Sequence, residues 1–182
     1  MPKYVAFLRA INVGGHTVKM DHLRRLFESL GFANVETFIA SGNVIFDSRT
    51  KSTRLLERKI ENHLEEMLGY EVTTFVRTID EVAQVAAYKP FDEAELNAEG
   101  NILYIGFIAG EPTQEANAKF TSLSNEVNGL HVRGREVYWL RRPSLGVSEY
   151  EGGKLEKSIA MRATFRNSTT VKKIAAKYAK VL

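Results

Sequence analysis

Val35-Glu36-Thr37-Phe38-Ile39-Ala40-Ser41-Gly42-Asn43-Val44-Ile45-Phe46 is the stretch that decides the fold. Val35–Ile39 and Val44–Phe46 are rich in β-branched and aromatic residues, and Ala40-Ser41-Gly42-Asn43 between them has turn chemistry. The two runs read as a hairpin. Working toward the N-terminus, Leu23, Leu26, Phe27 and Leu30 recur at helical spacing behind Asp21, a capping residue type, and Gly31 sits where a left-handed helix end belongs. Farther out, Tyr4–Leu8 is a short apolar strand that runs into the Gly-rich connection Asn12-Val13-Gly14-Gly15-His16. Toward the C-terminus, Thr53 to Leu68 predicts a long helix ended by Gly69. Its Leu56, Ile60, Leu64, Met67 and Leu68 form an apolar stripe, while Glu57, Arg58, Glu61 and Glu65 are assigned to solvent. Val72–Arg77 supplies a fourth strand. The order βαββαβ is the split-βαβ, ferredoxin-like pattern.

The second half repeats the theme more loosely. Thr78-Ile79-Asp80-Glu81 has the form of a capping box for a short helix carrying Val82, Val85 and Ala86. Pro90 to Gly100 reads as an irregular junction or exposed loop, and Ile102–Ala109 as a strong strand. Pro112 is placed at the first position of a helix bearing Ala116, Phe120 and Leu123. Leu130–Val132 and Glu136–Leu140 pair across Arg133-Gly134-Arg135, and helices near Lys154–Met161 and Ser168–Val181 close the chain. Any last strand shrinks to a few residues near Thr164–Arg166. The expectation is an α+β protein of two ferredoxin-like half-domains packed together, residues 1–78 and 79–182, the second less regular with an extra C-terminal helix. Tyr4–Leu8 and Val44–Phe46 are apolar at consecutive positions, so both faces of the first sheet should be covered. The second half-domain is the nearest candidate to cover the second face, and self-association with a partner subunit is the alternative.

Composition narrows the chemistry. The 182 residues contain no cysteine, which excludes disulfides, Cys-ligated zinc, iron–sulfur clusters and thiol nucleophiles. The balance of 25 Lys+Arg against 22 Asp+Glu leaves a net charge of only +3, a weak electrostatic footprint for nucleic acid. The N-terminus lacks a signal-peptide core and no apolar run is long enough to span a bilayer, so a cytoplasmic, bacterial-style protein without membrane contact is expected. His16, His22, His63 and His131 lack metal-ligand spacing, and no P-loop, Rossmann or nucleophile-elbow motif is present. Neither a metal nor a cofactor is implied.

In the ferredoxin-like topology, the loop leaving the first strand and the turn after the second emerge at the same end of the sheet. Here these are the segment from Arg9 through Asn12, Gly14 and Gly15 toward Lys19, and the turn Ser41-Gly42-Asn43. Glycines let a ligand approach the main chain, and N–H groups beside Arg9 and Lys19 suit an anion. The same residues also have a conformational reading, in which Gly-Gly makes a tight turn and Ser-Gly-Asn turns a hairpin.

Arg9-Ala10-Ile11-Asn12-Val13-Gly14-Gly15, Ser41-Gly42-Asn43-Val44-Ile45-Phe46 and Thr164-Phe165-Arg166-Asn167 with Thr170-Val171 resemble the domain-of-unknown-function 1697 family. The resemblance spans nearly the whole chain and implies a small bacterial α+β protein of two ferredoxin-like halves, with no established activity. It implies a signature of Arg9, Asn12, Gly14, Gly15, Ser41, Gly42, Asn43, Arg166 and Asn167. The family usually has Gly where this chain has Ala10 and often Trp where it has Ser168. A Ser-Lys-Leu-like stretch survives as Gly153-Lys154-Leu155. Asn167 is placed to cap the final helix. Arg166 beside that positive helix end calls for an anion shared between the halves, or for pairing with a surface Glu or Asp.

Three functional classes follow. The first is a module binding a small phosphate- or nucleotide-type anion at the loop end. The second is an RNA-binding protein of RNA-recognition-like topology, with Phe7 and Phe46 as its available aromatics and a covered sheet against it. The third is an enzyme acting on a phosphorylated substrate through Ser41, Asn12 or Asn43 with Arg9, for which only His16 offers a base. Trp139 and the basic residues Arg133, Arg135, Arg141 and Arg142 read as core and solvated turn, respectively.

Overall fold

The computed structural model describes residues 1–12, 14–39 and 42–180. Its elements run β1 (Lys3–Leu8), α1 (Met20–Glu28), β2 (Ala33–Thr37), β3 (Asn43–Asp47), α2 (Thr53–Leu68), β4 (Thr74–Thr78) and α3 (Ile79–Ala87). They continue with α4 (Glu93–Asn97), β5 (Ile102–Phe107), α5 (Gln114–Ser122), β6 (Asn128–Arg133), β7 (Glu136–Arg141), α6 (Gly152–Ile159), β8 (Thr164–Asn167) and α7 (Ser168–Tyr178). Two four-stranded sheets result, with strand orders β2-β3-β1-β4 and β6-β7-β5-β8 and every pairing antiparallel. Both are ferredoxin-like. One compact unit comprises Met1–Ala83 with the residues from Ile174 onward, and the other Gln84–Lys173.

The first unit folds as its periodicity dictates, except that Met67 of the expected apolar stripe is 54% exposed. Tyr4, Ala6 and Leu8 of β1 point to one face, where Leu23, Leu26 and Phe27 of α1 and Leu56, Ile60 and Leu64 of α2 complete one core. Phe32 and Phe46 stack there with centroids 4.4 Å apart, a geometry that adds about 0.5–1.5 kcal/mol to their burial. On the opposite face Val5, Phe7, Ile45 and Phe75 are at most 1% exposed, so both sheet faces are closed. In the second unit Phe120 of α5 and Leu155 and Ile159 of α6 pack with Val137 and Trp139. The Trp139 indole N–H donates to Asn128 Oδ1 at 2.9 Å, which makes it a satisfied core residue.

Helix ends differ from expectation in two places. Lys19, rather than Asp21, is the N-cap residue of α1, and Asp21 lies in the first turn paired with Arg24. Thr113, whose hydroxyl accepts from the Ala116 N–H, is the N-cap of α5, so Pro112 precedes the helix. The capping box before α3 forms in both directions: Thr78 N–H donates to Glu81 Oε2 at 2.8 Å and Glu81 N–H to Thr78 Oγ1 at 3.1 Å. Pro90 to Gly100 is not wholly irregular, since it contains α4. The turn residues Ala40 and Ser41, and Val181 at the expected helix end, lie outside the described residues.

The larger correction concerns α2. Glu57 and Glu61 do not face solvent. Their carboxylates accept from the Val76 and Thr74 N–H groups at 2.9 Å each. β4 is an edge strand, and alternate residues of an edge present unpaired N–H groups. Glu61, Glu57 and Glu81 therefore satisfy Thr74, Val76 and Thr78 in succession.

The units also share a sequence repeat, Tyr4-Val5-Ala6-Phe7 in β1 and Tyr104-Ile105-Gly106-Phe107 in β5. Val5 pairs with Arg77 as Ile105 pairs with Arg166, and Tyr4 pairs with Thr78 as Tyr104 pairs with Asn167. Both arginines are buried, at 0% and 8% exposure.

Two predictions follow from these contacts. Glu57→Ala strands the buried Val76 N–H and should lower the unfolding free energy in urea by about 1–3 kcal/mol, whereas exposed Glu66→Ala should change it by less than about 0.5 kcal/mol. Asp47 is buried, which raises its pKa, yet accepting from Asn34 and Lys3 at 2.8 Å each lowers it by more, to a net value below its ordinary 3.8. A depressed carboxylate stabilises the fold above its unfolded pKa and loses that contribution as pH falls through its folded one. Asp47→Asn should therefore cost stability at neutral pH and much less below about pH 3, measured by urea unfolding at both.

Candidate functional site

The loop leaving β1 and the turn before β3 meet. Leu8 N–H donates to the Gly42 carbonyl at 2.9 Å, and the Arg9 N–H to the Thr73 carbonyl at 2.9 Å. Gly42 has φ +78°, and a Cβ there would lie 3.0 Å from Ile11 Cγ2 and 3.1 Å from Leu8 Cβ. Glycine is thus required twice at this position, by conformation and by contact. Asn43 is fully buried, pairs with Phe7, and donates its amide to the Phe38 carbonyl at 3.0 Å, closing the hairpin. Ser41 lies outside the described residues.

The β1–α1 loop has its own clips. Asn12 Oδ1 accepts from the Val18 N–H at 2.8 Å, drawing the loop into a closed bend. The buried Ile11 carbonyl accepts from the Tyr70 hydroxyl at 2.9 Å, and burial pushes that phenol above its ordinary pKa. His16 lies flat on the Tyr70 ring with centroids 3.8 Å apart. Gly14 and Gly15, with φ +71° and +82°, are exposed and have nothing within 4 Å of where a Cβ would sit. Lys19 is exposed at the start of α1, and Arg9 is half-buried. Ala10 adopts φ +55°, which explains why a glycine suits its place in the resembling pattern.

The structure therefore brings Arg9, Asn12, Gly14, Gly15, Lys19, Gly42 and Asn43 to one end of the first sheet. It divides them by task. Asn12, Gly42 and Asn43 hold the loops in shape, while Gly14, Gly15 and Lys19 are presented to solvent. Tyr70, which sequence reasoning passed over, anchors the loop from the far end of α2. Its position just past the helix-ending Gly69 was the available signal.

Arg166 and Asn167 belong to the second unit. Asn167 Oδ1 accepts from the Thr169 N–H at 2.9 Å and caps α7 as expected. Arg166 is not at the surface. Its Nη1 donates to Thr164 Oγ1 at 2.7 Å and to the Phe165 carbonyl at 3.0 Å, and burial pulls its pKa down to about 10. Of the basic residues flanking the second hairpin, Arg142 forks onto Glu95 at 2.7 and 3.1 Å. Arg133 lies 4.0 Å from the Tyr88 ring centroid, and Arg141 5.7 Å from that of Trp139. Internal partners thus hold Arg142 and Arg133, while the buried Arg141 Nε has no hydrogen-bond partner among the described residues. Among the described residues no group of three or more His, Cys, Asp or Glu could hold a metal ion, and no helix is long and apolar enough to cross a membrane.

The sequence pattern of DUF1697, described as a protein of unknown function, matches residues 1–138. The chain belongs to this family. The DUF1697 match includes the whole loop end and stops before Thr164-Phe165-Arg166-Asn167. Among solved structures, the conserved bacterial protein SP0830 from Streptococcus pneumoniae is similar, with a TM-score of 0.74 and 22% identity over 99% of each chain. That likeness shows the shared fold. No curated protein matches the sequence.

The glycine and alanine conformations make a direct test. Gly42→Ala should destabilise by about 1–3 kcal/mol through crowding and left-handed strain, while Ala10→Gly should leave the melting temperature unchanged or raise it. Thermal denaturation of the two variants beside the parent measures both.

Proposed function

We propose that this DUF1697 protein is a binding module for a small phosphate-type anion held at the loop end of its first sheet. The supporting observation is the exposed Gly14-Gly15 turn beside Lys19, carried on a loop that Asn12, Tyr70 and Gly42 pin to the sheet. Left-handed glycines without side chains expose main-chain N–H groups to a ligand, and Lys19 supplies a charge. A few charge-assisted hydrogen bonds at a solvated site amount to about 4 kcal/mol, a dissociation constant near 1 mM.

The RNA reading has less support. Phe7 and Phe46 are both fully buried, so neither offers a stacking platform. For the enzymatic reading, Asn43 is committed to the Phe38 carbonyl and the His16 ring is stacked on Tyr70.

Titration of the full chain with inorganic phosphate, followed by amide resonances in NMR, tests the proposal. Gly14 and Gly15 should shift with a millimolar midpoint, and Lys19→Ala should weaken binding by roughly fivefold, about 1 kcal/mol. Unmoved glycine resonances at saturating phosphate, or an unchanged midpoint in Lys19→Ala, would sink the idea.

A further inference from the structure

The second unit encloses a cavity of about 540 Å³ between the end of α3, α4, the start of β5 and the start of α7. This falls within the roughly 300–1,000 Å³ of small-molecule sites. Its apolar lining includes the buried Ile105 and the half-buried Leu96 and Leu103. Its rim is polar. Asn101 donates to the Glu95 carbonyl at 2.8 Å, and its Oδ1 has no partner among the described residues. Asn167 uses its Oδ1 to cap α7, which leaves its amide N–H groups as donors. Lys172 is exposed, with no ion-pair partner among the described residues. The one carboxylate on the rim, Glu93, is ion-paired with Lys89, so Lys172 sets the local charge.

We propose that this cavity binds a small organic acid, its apolar body on Leu96, Leu103 and Ile105 and its carboxylate on Lys172 and the Asn167 amide. An apolar floor with one unpaired cation at its edge selects an amphiphile over a bare inorganic ion, because only the former covers the leucines. The site shares no residue with the loop end and stands independently of the phosphate reading.

Benzoate, benzyl alcohol and inorganic phosphate, titrated separately into isotopically labelled full-length protein, distinguish the alternatives. Benzoate should shift the side-chain amide resonances of Asn101 and Asn167, with benzyl alcohol at least about fivefold weaker and Lys172→Ala erasing that preference. Because Lys172 is exposed, its removal leaves the fold intact, which the dispersion of the spectrum checks. Three results would overturn the proposal: no shift at Asn101 and Asn167, equal binding of acid and alcohol, or inorganic phosphate moving these resonances as strongly as benzoate. Gly14 and Gly15 report on the loop end in the same spectra, so failure at either site is read apart from the other.

Discussion

The open edge of the first sheet sets the conditions for the rest of that unit. A β2-β3-β1-β4 sheet leaves the outward N–H groups of β4 without a strand to pair with. Water could satisfy them, but Thr74 and Val76 are at most 2% exposed. Leaving such donors bare costs about 1–3 kcal/mol each. Glu61 and Glu57 meet two of them from α2, and Glu81 meets the third from the start of α3. One row of carboxylates thereby fixes the rotation of α2 over the sheet, starts α3, and blocks addition of another strand.

The second unit has a related contact at its own edge strand. Glu156 of α6 accepts from the Ala163 N–H at 2.8 Å, just ahead of β8. Asn167 caps the following helix where Thr78 does so in the first unit. The shared register of Val5 with Arg77 and Ile105 with Arg166 shows one plan used twice. β8 is shorter than β4, four residues against five.

Much of this plan was legible in the sequence. Apolar periodicity located both helices and the central strands of the first unit, and Thr78-Ile79-Asp80-Glu81 announced its capping box by residue type alone. The role of Glu57 and Glu61 was not legible, because helical spacing shows only that a residue lies off the apolar stripe. A position flanking a sheet edge and one facing water look alike on that measure. The repeat of Tyr4-Val5-Ala6-Phe7 in Tyr104-Ile105-Gly106-Phe107 was visible in principle, but its two copies are too far apart for a short-period search. The cavity was hidden for another reason: α4 has no buried residue and hence no apolar stripe to mark it, and the rim draws Asn101 and Lys172 from distant parts of the chain.

For the loop end, topology foretold the convergence and geometry assigned the labour. Side-chain atoms that look most like ligand groups, the Asn12 Oδ1 and the Asn43 amide, are spent on main-chain partners. A flexible loop must be ordered when its ligand arrives, at a cost of about 1–2 kcal/mol for each residue fixed. Here that ordering is already achieved by the Asn12 clip, the Tyr70 anchor and the Leu8–Gly42 hydrogen bond. What reaches solvent is a left-handed turn of Gly14 and Gly15, and under the proposed reading its N–H groups would meet an anion without paying for loop closure again. Under the proposed anion reading, a site of so few contacts would reach millimolar affinity only on such a fixed frame, which makes the conformational role of these residues a condition of binding.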